Sequence, residues 1–267
     1  MHTDTTIQEV KSLENWRIGI QGYPKTGKTW SALTFPNPIV LNLDNNIPKN
    51  HPKVLSGEVK QVPLYDKDFV KEKLSVLPKH PEQPFPLHTA VEKWLRTVGM
   101  KLDPDQTLVI DSMTRIGDRF DLHWDLNPAL SVKTAKVDSF EAWHKKLVYF
   151  TELHAMIEAL RCNVITIIHE QETYDDDGKI NGLKPALTGS FGVRLAGHYP
   201  EWFRQSVVSK KDDKGNVIKD PETGKPYPRY IWEIQTDKVT KCGGNLVSKI
   251  KESFIDANYD SLVAAMK

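Results

Sequence analysis

Cysteine is nearly missing from this chain of 267 residues: Cys162 and Cys242 stand far apart, and neither belongs to a C-x-x-C pair. That argues against a thiolate zinc cluster and against a disulfide framework, and Cys162 reads as a small buried hydrophobe. Net charge is nearly missing too. With 36 Lys and Arg against 35 Asp and Glu the formal charge is +1, so no global field draws the chain to nucleic acid, and any such attraction has to be local. No apolar run approaches the roughly eighteen residues that cross a bilayer, so no membrane association is expected. The opening stretch MHTDTTIQEVKSLEN has no apolar core of the kind a secretion signal needs, which predicts a cytoplasmic protein. Internal repeats are absent from the sequence, as is an arginine cluster that could serve as the lid of a kinase.

What is present describes a globular chain, 39% hydrophobic and 27% charged. Its length suits one large α/β domain. The organisation expected is a polar N-terminal arm over residues 1–15 and a single domain over 16–267. Apolar, β-prone runs at 16–20 (WRIGI), 39–44 (IVLNLD), 107–111 (TLVID) and 163–170 (NVITIIHE) alternate with helical stretches at 29–35, 89–100 and 140–160. A further short strand over 59–64 and a helix over 66–77 precede a proline-rich connection. Continuous apolar runs separated by helices predict a mostly parallel sheet with helices on both faces. Past Glu201 the pattern changes. The runs EWFRQSVV and RYIWEIQT flank a lysine-rich, turn-rich segment, which predicts antiparallel strands and an exposed hairpin. Local positive charge gathers here, with eleven Lys and Arg against six Asp and Glu between Arg204 and Lys251.

The segment IGIQGYPKTGKTW carries the most specific chemistry. Gly22 and Gly27 bracket Tyr23, Pro24, Lys25 and Thr26, and Lys28 and Thr29 follow, which makes the phosphate-loop pattern G-x-x-x-x-G-K-T; Trp30 comes next on the expected helix. Glycine lets the backbone curl so that its N–H groups point at phosphate oxygens, Lys28 reaches the β and γ phosphates, and the Thr29 hydroxyl ligates magnesium. The flanking strand and helix supply the context the pattern needs. About eighty residues on, TLVID ends a hydrophobic strand in Asp111, which marks that carboxylate as the second magnesium-side group. The cofactors expected are ATP and Mg2+.

Taken together, GYPKTGKT, VLNLDNN, LVIDSMT and VITIIHE resemble the core segments of RecA-like P-loop ATPases. The resemblance extends, from about Trp16 to Lys251, to phage single-strand annealing ATPases and their phage nucleotide-binding relatives. It implies a core sheet of order 5-1-4-3-2, with the strand ending in His169 between the loop strand and the Asp111 strand. It also implies that His169 senses the γ-phosphate and passes the signal to the following loop, 171–190, which meets single-stranded DNA through Tyr174, Lys179 and Lys184. Lys238 and Lys241 match lysines that reach the ATP of a neighbouring subunit. A homo-oligomeric ring or filament and phage replication or recombination proteins are the implied partners. One departure bears on catalysis. Such ATPases usually carry a glutamate two residues after the aspartate of the second strand, and here Asp44 is followed by Asn45 and Asn46. Asp44 or Glu170 is the candidate substitute base, and slow hydrolysis is expected. A second DNA-contact candidate is FDLHWDLNPALSVKTAK, with His123, Trp124, Lys133 and Lys136. Two other functions stay open on the sequence: an ATP-gated interaction or loader module with negligible hydrolysis, and a nucleotide or small-molecule kinase.

Overall fold

The computed structural model describes residues 15–64, 87–125, 139–187, 190–235, 242–244, 248 and 250–267. Ten strands form the sheet: β1 (Arg17–Gly22), β2 (Pro38–Asn42), β3 (Lys60–Pro63), β4 (Thr107–Asp111), β5 (Asn163–Tyr174), β6 (Ile180–Pro185), β7 (Glu201–Ser209), β8 (Pro228–Glu233), β9 (Gly243–Gly244) and β10 (Phe254–Asp256). The principal order is β10-β8-β7-β1-β5-β4-β2-β3, with β6 paired to β5 and β9 to β7. Every pair from β7 through to β3 is parallel, and β8, β10, β6 and β9 join antiparallel. Counting only the core strands, β7-β1-β5-β4-β2 is the 5-1-4-3-2 order.

Because side chains alternate across a strand, each buried strand serves two cores. On one face Ile18, Ile20, Val40, Val109, Ile165, Ile167 and Phe203 pack with Leu33, Phe35 and Trp232. On the other, Leu41, Leu108, Ile110, Val164, Ile168 and Trp202 meet the apolar sides of α3 (Leu87–Thr97), α4 (Met113–Asp125) and α5 (Ser139–Ala159). Full burial on both faces explains why these strands read as unbroken apolar runs. Among the described residues the other α-helices are short: α1 (Lys28–Ala32), α2 (Pro52–Leu55), α6 (Ser190–Arg194) and α7 (Tyr259–Ala265).

Several expectations are modified. The stretch 171–190, expected as a loop, is mostly a β-arm: β5 runs past the sheet to Tyr174, turns, and returns as β6, with Gln171 opposite Lys184 and Thr173 opposite Gly182. The turn is closed by the Asp175 carboxylate, whose Oδ1 accepts the N–H groups of Asp177 and Lys179. A strand entering the sheet core had no reason, on periodicity alone, to continue into polar residues. β7 is parallel to β1 and antiparallel to β8, so the hairpin after Glu201 is also the core's fifth strand. Helix α2, β9, β10 and α7 had no counterpart in the sequence reading. Residues 1–14, the helix expected over 66–77, Lys133, Lys136, Lys238 and Lys241 lie outside the described residues. His123 and Trp124 fall at the end of α4.

Candidate nucleotide site

The phosphate-loop residues bridge β1 and α1 at the carboxyl end of the parallel strands, where ligands of open α/β sheets bind. Gly27, the residue before α1, has φ 81, a left-handed conformation that a side chain would strain, and a Cβ there would also lie 3.0 Å from the Tyr230 ring. A Cβ at Gly22 would come within 2.5 Å of the Gln205 carbonyl oxygen. Gly27 is therefore required by dihedral and by space, and Gly22 by space alone. The loop is held from below: Gln205 Nε2 donates to Thr26 O at 2.7 Å, and Trp232 Nε1 donates to Gln205 Oε1 at 2.9 Å.

Lys28 is 4% exposed, and its Nζ donates to the carbonyls of Gly22 (2.8 Å) and Tyr23 (2.6 Å). Burial lowers its pKa to about 8, against the pull of Asp111, Glu170 and Asp44. Thr29 Oγ1 donates to Asp111 Oδ2 at 2.7 Å, so the two magnesium-side groups named from sequence meet directly. Burial raises the Asp111 carboxyl to about 6; the Thr29 hydrogen bond opposes that rise, and the nearby Asp44 charge adds to it. One hydroxyl and one carboxylate suit magnesium, which keeps several waters and takes the rest of its shell from phosphate oxygens. Among the described residues no group of three or more His, Cys, Asp or Glu is arranged to hold a metal ion by itself.

Asp44, just past β2, stands at the far side. It accepts from Ser112 Oγ at 2.8 Å, and Arg115 Nε and His169 Nε2 lie 3.9 and 3.6 Å from its oxygens. Burial pushes its pKa up, but the contacts from His169 and Ser112 and the Arg115 charge outweigh that and leave it below the usual carboxylate value. His169 is fixed through its backbone N–H, which donates to Thr114 Oγ1 at 2.9 Å. A cleft of about 400 Å³ joins these groups; Lys25, Gly27, Lys28, Thr29, Trp30, Asp44, Asn46, Pro48, Asp111, Ile167, His169 and Tyr230 line it.

Glu170 does not join them. It follows His169 on the same strand, so its side chain leaves by the opposite face. There it is buried and held by Arg204 (Nη2 to Oε1, 3.0 Å) and by Gln21 Nε2 at 3.1 Å, while Arg204 also grips Glu233 at 2.9 Å. Tyr23 leans toward the arm and donates to Glu172 Oε1 at 2.6 Å, a bond that lifts its pKa to about 12. Tyr174 donates to the other oxygen of the same carboxylate. Tyr174 is 59% exposed, and Lys179 lies 3.9 Å from Asp177. Lys184 sits on β6 opposite Gln171.

The sequence reading missed Tyr230, Gln205, Ser112 and Arg115. Only Ser112 and Arg115 had a local signal, their place just after the Asp111 strand. Tyr230 and Gln205 reach the loop through the order of β7 and β8 in the sheet.

A phosphate loop, a buried strand-end aspartate bonded to its threonine, and a 5-1-4-3-2 core define a RecA-like P-loop nucleotide-binding ATPase. The AAA domain family matches residues 14–204, and the chain belongs to that family. No curated protein matches the chain. Among solved structures it is similar to the flagellar accessory protein FlaH from Methanocaldococcus jannaschii, at 11% identity and a TM-score of 0.40, covering 89% of this chain and 82% of that one. It is also similar to the RadB recombinase, at 12% identity and a TM-score of 0.37, covering 81% and 87%. Among the described residues no helix is long and apolar enough to cross a membrane.

Proposed function

We propose that this chain is a slow ATPase that binds ATP with magnesium and uses it to control a grip on single-stranded DNA, in annealing or strand-exchange recombination of the phage type. Neighbouring copies would complete one another's sites in a ring or filament. The observation that carries the ATP half is the meeting of Lys28, Thr29, Asp111, Asp44 and His169 in one cleft. Lys28 would exchange the carbonyls of Gly22 and Tyr23 for phosphate oxygens, and the loop N–H groups would hold the rest. Thr29 and Asp111 are the residues that would hold magnesium, whose charge offsets that of the phosphates. Asp44 is the candidate acceptor for the proton of an attacking water. Its lowered pKa makes it a weak base, and Asn46, which shares the cleft, can orient water but takes no proton. Both features favour slow turnover, with ATP acting chiefly as a signal.

The DNA half rests on the resemblance of the core segments and on the course of β5, which runs unbroken from His169 into the exposed arm. The arm's charge limits the mode of contact. Glu172, Asp175, Asp176 and Asp177 outnumber Lys179 and Lys184, so binding would depend on stacking at Tyr174 and on lysines brought together by assembly.

A second reading, an ATP-gated interaction module with negligible hydrolysis, is favoured by Asn46 in the cleft. The two separate on the ATPase rate measured with and without single-stranded DNA, alongside sizing with ATP present. The expected result is a slow rate that rises with DNA and a mass that grows with ATP. A rate that stays at background with DNA, while ATP still drives assembly, would transfer the assignment to the interaction module.

A further inference from the structure

Two large aromatic rings stand at the rim of the nucleotide cleft with much of their surface in solvent: Trp30 is 39% exposed and Tyr230 is 43% exposed. They reach it from different parts of the chain. Trp30 follows the loop threonine on α1, and its ring meets that of His51 edge-on, with centroids 4.7 Å apart and planes at 70°. His51 is itself fixed, its N–H bonded to Pro48 O at 3.1 Å and its Nδ1 accepting from the Lys53 N–H. Tyr230 comes from β8, opposite Val207 of β7, and its ring lies against Gly27. Both walls are thus built on rigid elements. The polar side chains that share the cleft among the described residues come from the phosphate loop and α1, from the segment after β2, from the end of β4 and from His169 on β5.

From this arrangement we propose that Trp30 and Tyr230 form a stacking slot for the base of the nucleotide. The slot holds a purine by its faces and reads no base edge, so the chain accepts adenine and guanine nucleoside triphosphates alike. A site that hydrogen-bonds a base edge rejects the wrong base strongly, because a mismatched partner leaves buried polar groups unpaired; a pair of π faces imposes no such penalty. Tyr230 lies beyond residues 14–204, the extent of the family match. The inference rests on the nucleotide-binding reading.

The experiment titrates the full chain, with magnesium, against ATP, GTP and inorganic tripolyphosphate by calorimetry, with tryptophan fluorescence followed in parallel for the unaltered chain and for Trp30→Phe. ATP and GTP should bind within about threefold of each other, and both more tightly than tripolyphosphate. Tyr230→Ala should weaken both nucleotides by about tenfold and leave tripolyphosphate unchanged, in keeping with the loss of one base stack. Tyr230→Phe should bind like the unaltered chain, because the ring face is what counts. Nucleotide should quench fluorescence in the unaltered chain and much less in Trp30→Phe. A preference for ATP over GTP beyond about thirtyfold would overturn the slot. So would a Tyr230→Ala chain that loses tripolyphosphate equally, since Tyr230 would then act only as a prop for Gly27. If tripolyphosphate binds, Lys28→Ala abolishes that binding, and base identity and both aromatic variants are without effect, the slot fails while the phosphate site stands. If neither ATP nor tripolyphosphate binds, the nucleotide reading fails and the slot with it.

Discussion

Lys28 illustrates how a functional charge is kept available. Its ammonium is buried and donates to two loop carbonyls, and burial depresses its pKa from 10.5 to about 8. Between those two values the folded chain binds fewer protons at this position than the unfolded chain, so stability should rise with pH from about 8 toward 10.5. Below that window the buried charge is a standing cost. Lys28→Met should therefore unfold at higher temperature than the unaltered chain near pH 7, and the gap should narrow as pH approaches 10. Thermal unfolding of both chains from pH 7 to 10 checks this; parallel curves of equal stability would show that the ammonium carries no burial cost. Phosphate works in the opposite direction. An anion beside the ammonium raises its pKa, so the lysine is recharged by the ligand it is there to bind.

At the scale of elements, the two faces of β5 divide the work. His169 points to the cleft and stands 3.6 Å from Asp44, while its neighbour Glu170 points away into an ionic cluster with Arg204, Gln21 and Glu233. That cluster ties β5, β1, β7 and β8 together just beneath the phosphate loop, with Gln21 immediately before Gly22. The two carboxylates should then respond differently to removal of their charge. Asp44→Asn should lower ATP turnover about a hundredfold or more, the typical cost of losing a positioned base, with little loss of stability. Glu170→Gln should instead destabilise the fold by about 3 kcal/mol, because it leaves the largely buried Arg204 with half of its partners. Turnover and denaturant unfolding of the two variants decide it; the reverse pattern would move the base to Glu170.

On the scale of the whole molecule, a net charge of +1 means that DNA affinity cannot come from a long-range field. Under the proposed function it would come from a few local contacts switched on by nucleotide. The arm is joined to the phosphate loop twice, through the continuous strand from His169 and through the Tyr23 to Glu172 hydrogen bond. ATP should therefore tighten single-strand binding and ADP should not. Neutralising Lys179 and Lys184 together should lower the salt slope by about 1 to 1.5, at roughly 0.7 per phosphate contact, and His169→Ala should keep basal binding but erase the difference between the nucleotides. Anisotropy of a labelled oligonucleotide over a salt series is the measurement. If ATP and ADP give the same affinity in the unaltered chain, the recombination reading is lost.

The sequence by itself determined the phosphate loop, the placing of Thr29 and Asp111 at one site, and the parallel core, because each is local: a fixed spacing, a strand end, or an apolar run long enough to be buried on both sides. The departure at Asn46 was legible for the same reason. What only the tertiary structure decided depends on which strands are neighbours and which way a side chain leaves its strand. Asp44 and Glu170 were equal candidates along the chain, and alternation on β5 separated them. Residues 171–190 were expected as a loop from the resemblance, yet the pairing of Gln171 with Lys184 makes an arm of residues 171–185. Tyr230 sits about two hundred residues from Gly27 in sequence, and no pattern connects them. They meet because β7 lies beside β1 and β8 beside β7, so that two strand spacings carry the C-terminal hairpin onto the phosphate loop.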